Sequence, residues 1–135
     1  IKQAGMKSSE MILNGLGGPK LSKQHALQSA RLMNLAQPEF LSTLVVELPP
    51  DAQLFEDRFE GQWRKLTQLE LFTEMQLLLE NLELKKTVFR SDHASNYLVL
   101  KGQLGRDKDK LLETVRTAIN RPGAIPLRQE WQRGL

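Results

Sequence analysis

Apolar positions in this chain are of two kinds. Some are short runs stopped by glycine or proline, and others are longer stretches repeating at helical spacing. Met11, Ile12 and Leu13 form a brief run closed by Asn14-Gly15-Leu16-Gly17-Gly18-Pro19, the pattern of a buried strand entering a turn. Ser22 then stands where a helix cap belongs. Ala26, Ala30 and Met33 follow helical spacing, Leu27, Leu32 and Leu35 widen the stripe, and Pro38 stops it. Phe40 to Leu48 is nearly continuous in apolar residues and reads as a strand covered on both faces, closed by Pro49-Pro50. Asp51 then caps a short helix ending near Gly61.

The clearest helix follows. Thr67 and Glu70 have capping-box spacing, and Leu71, Phe72, Met75, Leu78, Leu79 and Leu82 recur on one face behind them. Thr87, Val88 and Phe89 predict a third strand. Asp107 caps a last helix with Leu111, Leu112, Val115, Ala118 and Ile119 on one side, and residues 121–135 show no periodicity. Alternation of strand and helix predicts an α/β fold: three central parallel strands, right-handed crossovers and flanking helices. So small a sheet leaves strand edges open to self-association.

Composition narrows the possibilities. At 135 residues the chain is one domain, and with no cysteine it has no disulfide, thiolate nucleophile or cysteine-held zinc or iron–sulfur site. No apolar run approaches the roughly twenty residues of a membrane span. The net charge of +3 is concentrated after Lys101, but aromatic residues are 6% of the chain and are not interleaved with the basic ones, which argues against a nucleic-acid surface.

Parallel α/β units carry their ligand-binding loops at the carboxyl ends of the strands. Three polar loops fall there: NGLGG, ELPPD and RSDHASN. The glycines would let backbone amides approach an anion or a sugar, or would simply make a tight turn; the third glycine of a dinucleotide fingerprint is missing. Glu47 could accept a ribose or amine hydrogen bond, or merely meet solvent. Ser91, Asp92, His93 and Asn96 are substrate-facing candidates, with Asp92 and His93 the candidates for acid/base work. Equally, Ser91, Asp92, Ser95 and Asn96 could only tie down a turn. His25, early in its helix, reads as an exposed or capping side chain, and two histidines alone argue against a histidine metal site.

The segments AGMKSSEMILNGLGG, KQHALQSARLMNLAQPEFLSTL and QLLLENLELKKTVFRSDHASNYLVLKGQLGRDKDKLLETV resemble the carboxy-terminal half of a radical S-adenosylmethionine Fe–S oxidoreductase. The likeness spans about residues 4–119 and is most specific in FRSDHASNYLVLKGQLGRDKDKLL. It implies that residues 1–120 are the later part of an incomplete (β/α) barrel, followed by the irregular tail 121–135. In the parent protein a cysteine triad binds a [4Fe–4S] cluster that cleaves S-adenosylmethionine. With no cysteine here, the resemblance implies a cytoplasmic fragment that is inactive alone and partnered by a missing amino-terminal half. It places Asn14, Gly15, Gly17 and Gly18 along the S-adenosylmethionine site, and Leu48 and Pro49 beside the adenine, although ELPPDAQLFE departs from the family's PGTPLYE-like pattern. The substrate, small molecule or macromolecule, is not specified. The alternative reading is a non-enzymatic α/β module that holds a nucleotide or anionic partner with NGLGG and the basic carboxy-terminal segment.

Overall fold

The computed structural model describes residues 4–49, 52–59 and 63–134. Strand β1 (Ser9–Asn14) leads through α1 (Gly18–Ala36) to β2 (Phe40–Val45). Helices α2 (Gln53–Arg58) and α3 (Gln68–Asn81) precede β3 (Val88–Ser91), β4 (Leu100–Gln103) and α4 (Lys108–Asn120). The proposed cap Asp51 and stop Gly61 of α2 lie outside the described residues. Two 3-10 turns, Pro122–Ala124 and Glu130–Gln132, punctuate the tail.

The sheet has four strands in the order β1-β2-β3-β4. The expectation of an all-parallel, three-stranded sheet is thereby corrected. β1, β2 and β3 are parallel, whereas β4 pairs antiparallel with β3, Val88 opposite Gln103 and Ser91 opposite Leu100. Eight residues between β3 and β4 are too few for a helical crossover, so the chain must return antiparallel.

All three long helices cover one face. Ile12, Leu41, Phe89 and Leu100 alternate inward from the strands into one apolar cluster with Ala26, Ala30 and Met33 of α1, Leu78 and Leu79 of α3, and Val115 of α4. Successive crossovers that step the same way along a sheet put their helices on the same side. The opposite residues, Met11, Leu13, Phe40, Ser42, Leu44, Arg90 and Lys101, therefore share a face that no described helix covers: Met11 is 63% and Phe40 41% exposed. No described helix is long and apolar enough to cross a membrane.

Helix α3 forms as its sequence predicts. The Glu70 N–H donates to Thr67 Oγ1 at 3.3 Å and the Thr67 N–H to Glu70 Oε2 at 2.8 Å, closing the capping box. Elsewhere the boundaries shift. Helix α1 begins at Gly18 rather than behind Ser22, because Pro19 in its first turn is already set to a helical φ and has no N–H to satisfy. Leu32 and Leu35 are exposed, outside the stripe expected to include them. Gln37 ends the helix at φ 45°, its N–H donating to Met33 O. Strand β2 stops at Val45 instead of Leu48, since β1 ends opposite it. Asp107 does precede α4, but its carboxylate caps nothing there: it accepts the Gln103 N–H at 2.8 Å and pairs with Arg106.

Candidate functional site

The three polar loops do lie at the carboxyl ends of the parallel strands, and the structure separates their roles. In the turn after β1, Gly15 (φ 83°) donates its N–H to Glu74 Oε1 at 2.8 Å. Glu74 projects from the apolar face of α3, is buried, and also accepts the Ser22 hydroxyl. His25 Nδ1 lies 3.3 Å from the same carboxylate, so His25 is half-buried beside Glu74 rather than exposed or capping. The amides of Leu16, Gly18 and Leu21 donate to Leu13, Gly15 and Gly17 carbonyls. Gly18 sits against Trp63, whose indole N–H donates to Leu16 O at 3.0 Å. The glycines here permit close packing of the turn on α3 and Trp63.

Asn14 is buried and its side chain lines a small cavity with Leu71, Phe72 and Met75 of α3, on the helix side of the sheet. Its Oδ1 and the Thr43 Oγ1 find no partner among the described residues. Beyond β2, Glu47 pairs with Lys65 and, at 3.0 Å, with Arg133, while Leu48 and Pro49 extend past the ladder.

The β3–β4 loop is held by hydrogen bonds to β2 and within itself. Ser95 and Asn96 are buried: the Val45 N–H donates to Ser95 Oγ at 3.1 Å, and Asn96 Nδ2 donates to Thr43 O at 2.9 Å. The loop is thereby tied to β2. The Ser95 N–H points at His93 Nδ1 at 3.1 Å, and Ser95 Oγ lies 2.9 Å from that nitrogen. A main-chain N–H can only donate, so Nδ1 is an acceptor and the neutral ring carries its hydrogen on Nε2. His93 in this arrangement offers its Nε2 as a donor and has no free basic nitrogen. Ser91 is buried toward the helices.

Asp92 is held differently. Lys101 Nζ lies 3.0 Å and Arg90 Nη1 4.0 Å from its carboxylate. The hydrogen bond from Lys101, against a smaller opposing cost of burial, keeps Asp92 below the usual carboxylate range and therefore ionised near neutral pH. An acid with that bias is a poor proton donor.

The tail closes over this loop. Arg128 donates to the carbonyls of His93 (2.6 Å), Asn96 (3.0 Å) and Asp92 (3.2 Å). The Arg133 side chain, 7% exposed, donates to Ser95 O and bridges Glu47 and Glu130, with its guanidinium 3.8 Å above the Tyr97 ring. The Tyr97 hydroxyl donates to Glu130 at 2.6 Å. Burial and that bond to a carboxylate push Tyr97 upward, and the same hydroxyl holds Glu130 low. Glu47, Ser95, Glu130 and Arg133 line an open cleft of about 240 Å³ above the strand ends.

Two groups of residues escaped the sequence reading. Glu74 left a trace: a glutamate set among Leu71, Met75 and Leu78 interrupts an apolar stripe. Arg128 and Arg133 left none, because they lie in an aperiodic segment and their partners in the loop are more than thirty residues away.

Neither a family model nor a curated protein nor a solved structure matches this chain.

Proposed function

We propose that this chain is part of the wall of a radical S-adenosylmethionine Fe–S oxidoreductase, contributing S-adenosylmethionine- and substrate-facing surface in an incomplete (β/α) barrel. One observation carries the reading beyond the likeness of segments. Three parallel strands bear the described helices on one side only, and the other side exposes Met11, Leu13 and Phe40 beside a β1 edge that no described strand pairs. In a barrel, helices form the outer ring and the other sheet face looks inward, so a wall segment has this one-sided build.

The residues do not fit the cluster itself. The chain has no cysteine, and the described residues contain no group of three or more potential metal ligands. The cluster ligands belong upstream in the parent. Toward S-adenosylmethionine, the chain offers main chain at Glu47 and Leu48 and the Nε2 of His93, whereas the Pro49 carbonyl already accepts the Ala52 N–H and the Gly15 amide is engaged by Glu74. The alternative, a phosphate- or nucleotide-binding module built on NGLGG, has weaker support because the Gly15, Leu16 and Gly18 amides all donate within the protein.

The test is the longer parent protein, reconstituted with iron and sulfide and assayed for 5′-deoxyadenosine from S-adenosylmethionine. Product formation that requires an upstream CxxxCxxC triad is expected, and its absence would sink the enzyme reading. In the active parent, His93→Ala lowers substrate turnover; unchanged turnover removes His93 from the site.

A further inference from the structure

The open sheet face is not uniformly apolar. Ser42, Arg90 and Lys101 are register partners across β2, β3 and β4, forming one polar row. Both cations are about half exposed, at 51% of each side chain. Cross-strand neighbours have Cβ atoms roughly 5 Å apart, and like charges at that spacing oppose folding. Among the described residues, the carboxylate paired with these cations is that of Asp92, 3.0 Å from Lys101 and 4.0 Å from Arg90. Among the described residues, one carboxylate against two cations leaves the row with one positive charge in excess. Apolar positions of the same face surround the row: Phe40 and Leu44 flank Ser42 on β2, and on β1 Met11 stands opposite Ser42 with Leu13 beside it.

We propose that Arg90 and Lys101, with Ser42 beside them, form a recognition site for the carboxylate of a small, partly apolar organic acid. The guanidinium of Arg90 supplies two parallel donors that match a carboxylate, while Lys101 supplies a point charge. The neighbouring methionine, leucine and phenylalanine side chains accept the carbon skeleton. A net charge of one suits a monoanion, and no aromatic ladder accompanies the cations as a nucleic-acid strand would need. That this site lies inside a barrel, and that the acid is a substrate, rests on the wall reading above. The capacity to bind the acid does not.

The two are separable because binding is measured on this chain alone. Hexanoate is titrated into the ¹⁵N-labelled protein, following backbone amides of β2–β4 and the Arg90 Nε resonance, with hexan-1-ol as the uncharged counterpart. Saturable shifts confined to these strands are expected, with affinity reduced about tenfold by Arg90→Gln and by Lys101→Gln, the size of one lost charge-assisted bond. Arg31→Gln on the outer face of α1 should leave binding unchanged. Circular dichroism confirms that each variant is folded, and Arg90→Lys, which keeps the charge but not the fork, should bind with intermediate affinity. Equal binding of hexan-1-ol, unchanged affinity in both glutamine variants, or no saturable binding to the wild-type chain would each overturn the site.

Discussion

At the scale of single residues, two positions show how narrowly the backbone is specified. Gly105 has φ 99°, and an added Cβ would stand 2.2 Å from Lys85 O, a main-chain atom that cannot swing aside. Gly105→Ala should cost roughly 2–4 kcal/mol, read as a lower urea midpoint at unchanged slope. Glu70 offers a pH test. The Arg64 guanidinium, and then the Thr67 N–H, lower its pKa from 4.5 to about 2. A carboxyl depressed in the folded state adds stability above its unfolded pKa, and that contribution fades as pH falls from about 4.5 toward 2. Across that window, the wild-type urea midpoint should fall more steeply than that of Glu70→Gln.

At the scale of elements, the tail and the β3–β4 loop behave as one unit. Arg128 satisfies three carbonyls of the loop, and Arg133 joins Ser95, Glu47, Glu130 and Tyr97. Removing either side chain leaves inward acceptors unpaired, at a cost of about 2 kcal/mol. Arg133→Ala should therefore speed hydrogen exchange at the Asn96 amide, which closes the loop turn onto His93 O, while amides of α3 remain protected. Arg133→Lys should recover little, since an ammonium cannot reproduce the planar stacking on Tyr97.

Legibility in the sequence followed the range of the interactions. Helix α3 could be read from local cues because its cap and its stripe act within a few residues. The parallel arrangement of β1–β3 followed from strand–helix alternation. Strand β4 was lost because Leu98, Val99 and Leu100 look like the end of a polar loop until their pairing with β3 is known. The cluster of polar side chains at residues 91–96 was visible, but its division of labour was not. Ser95 and Asn96 face β2, Asp92 faces two cations on the open side, and His93 is oriented by a main-chain amide. Only the fold decides which way each one turns.

At the scale of the whole molecule, the described helices cover one side of the sheet and leave the other exposed. Met11 and Leu13 add little to the core, so Met11→Gln with Leu13→Thr should change folding stability by no more than about 0.5 kcal/mol. The same pair should reduce concentration-dependent self-association in sedimentation velocity. If association persists, the β1 edge rather than the apolar face is responsible.

Arg128 and Arg133 come late in a chain that is synthesised from its amino terminus. Until residues 128–133 have been made, the carbonyls of Asp92, Ser95 and Asn96 lack the guanidinium donors that later engage them, and His93 O has only the Asn96 N–H. The loop that carries His93 is thus completed by residues that are made after the whole sheet and α4. A chain shortened to end before Arg128 should keep a folded core with an unfinished mouth, and limited proteolysis of it should cut within residues 92–99 and spare α3.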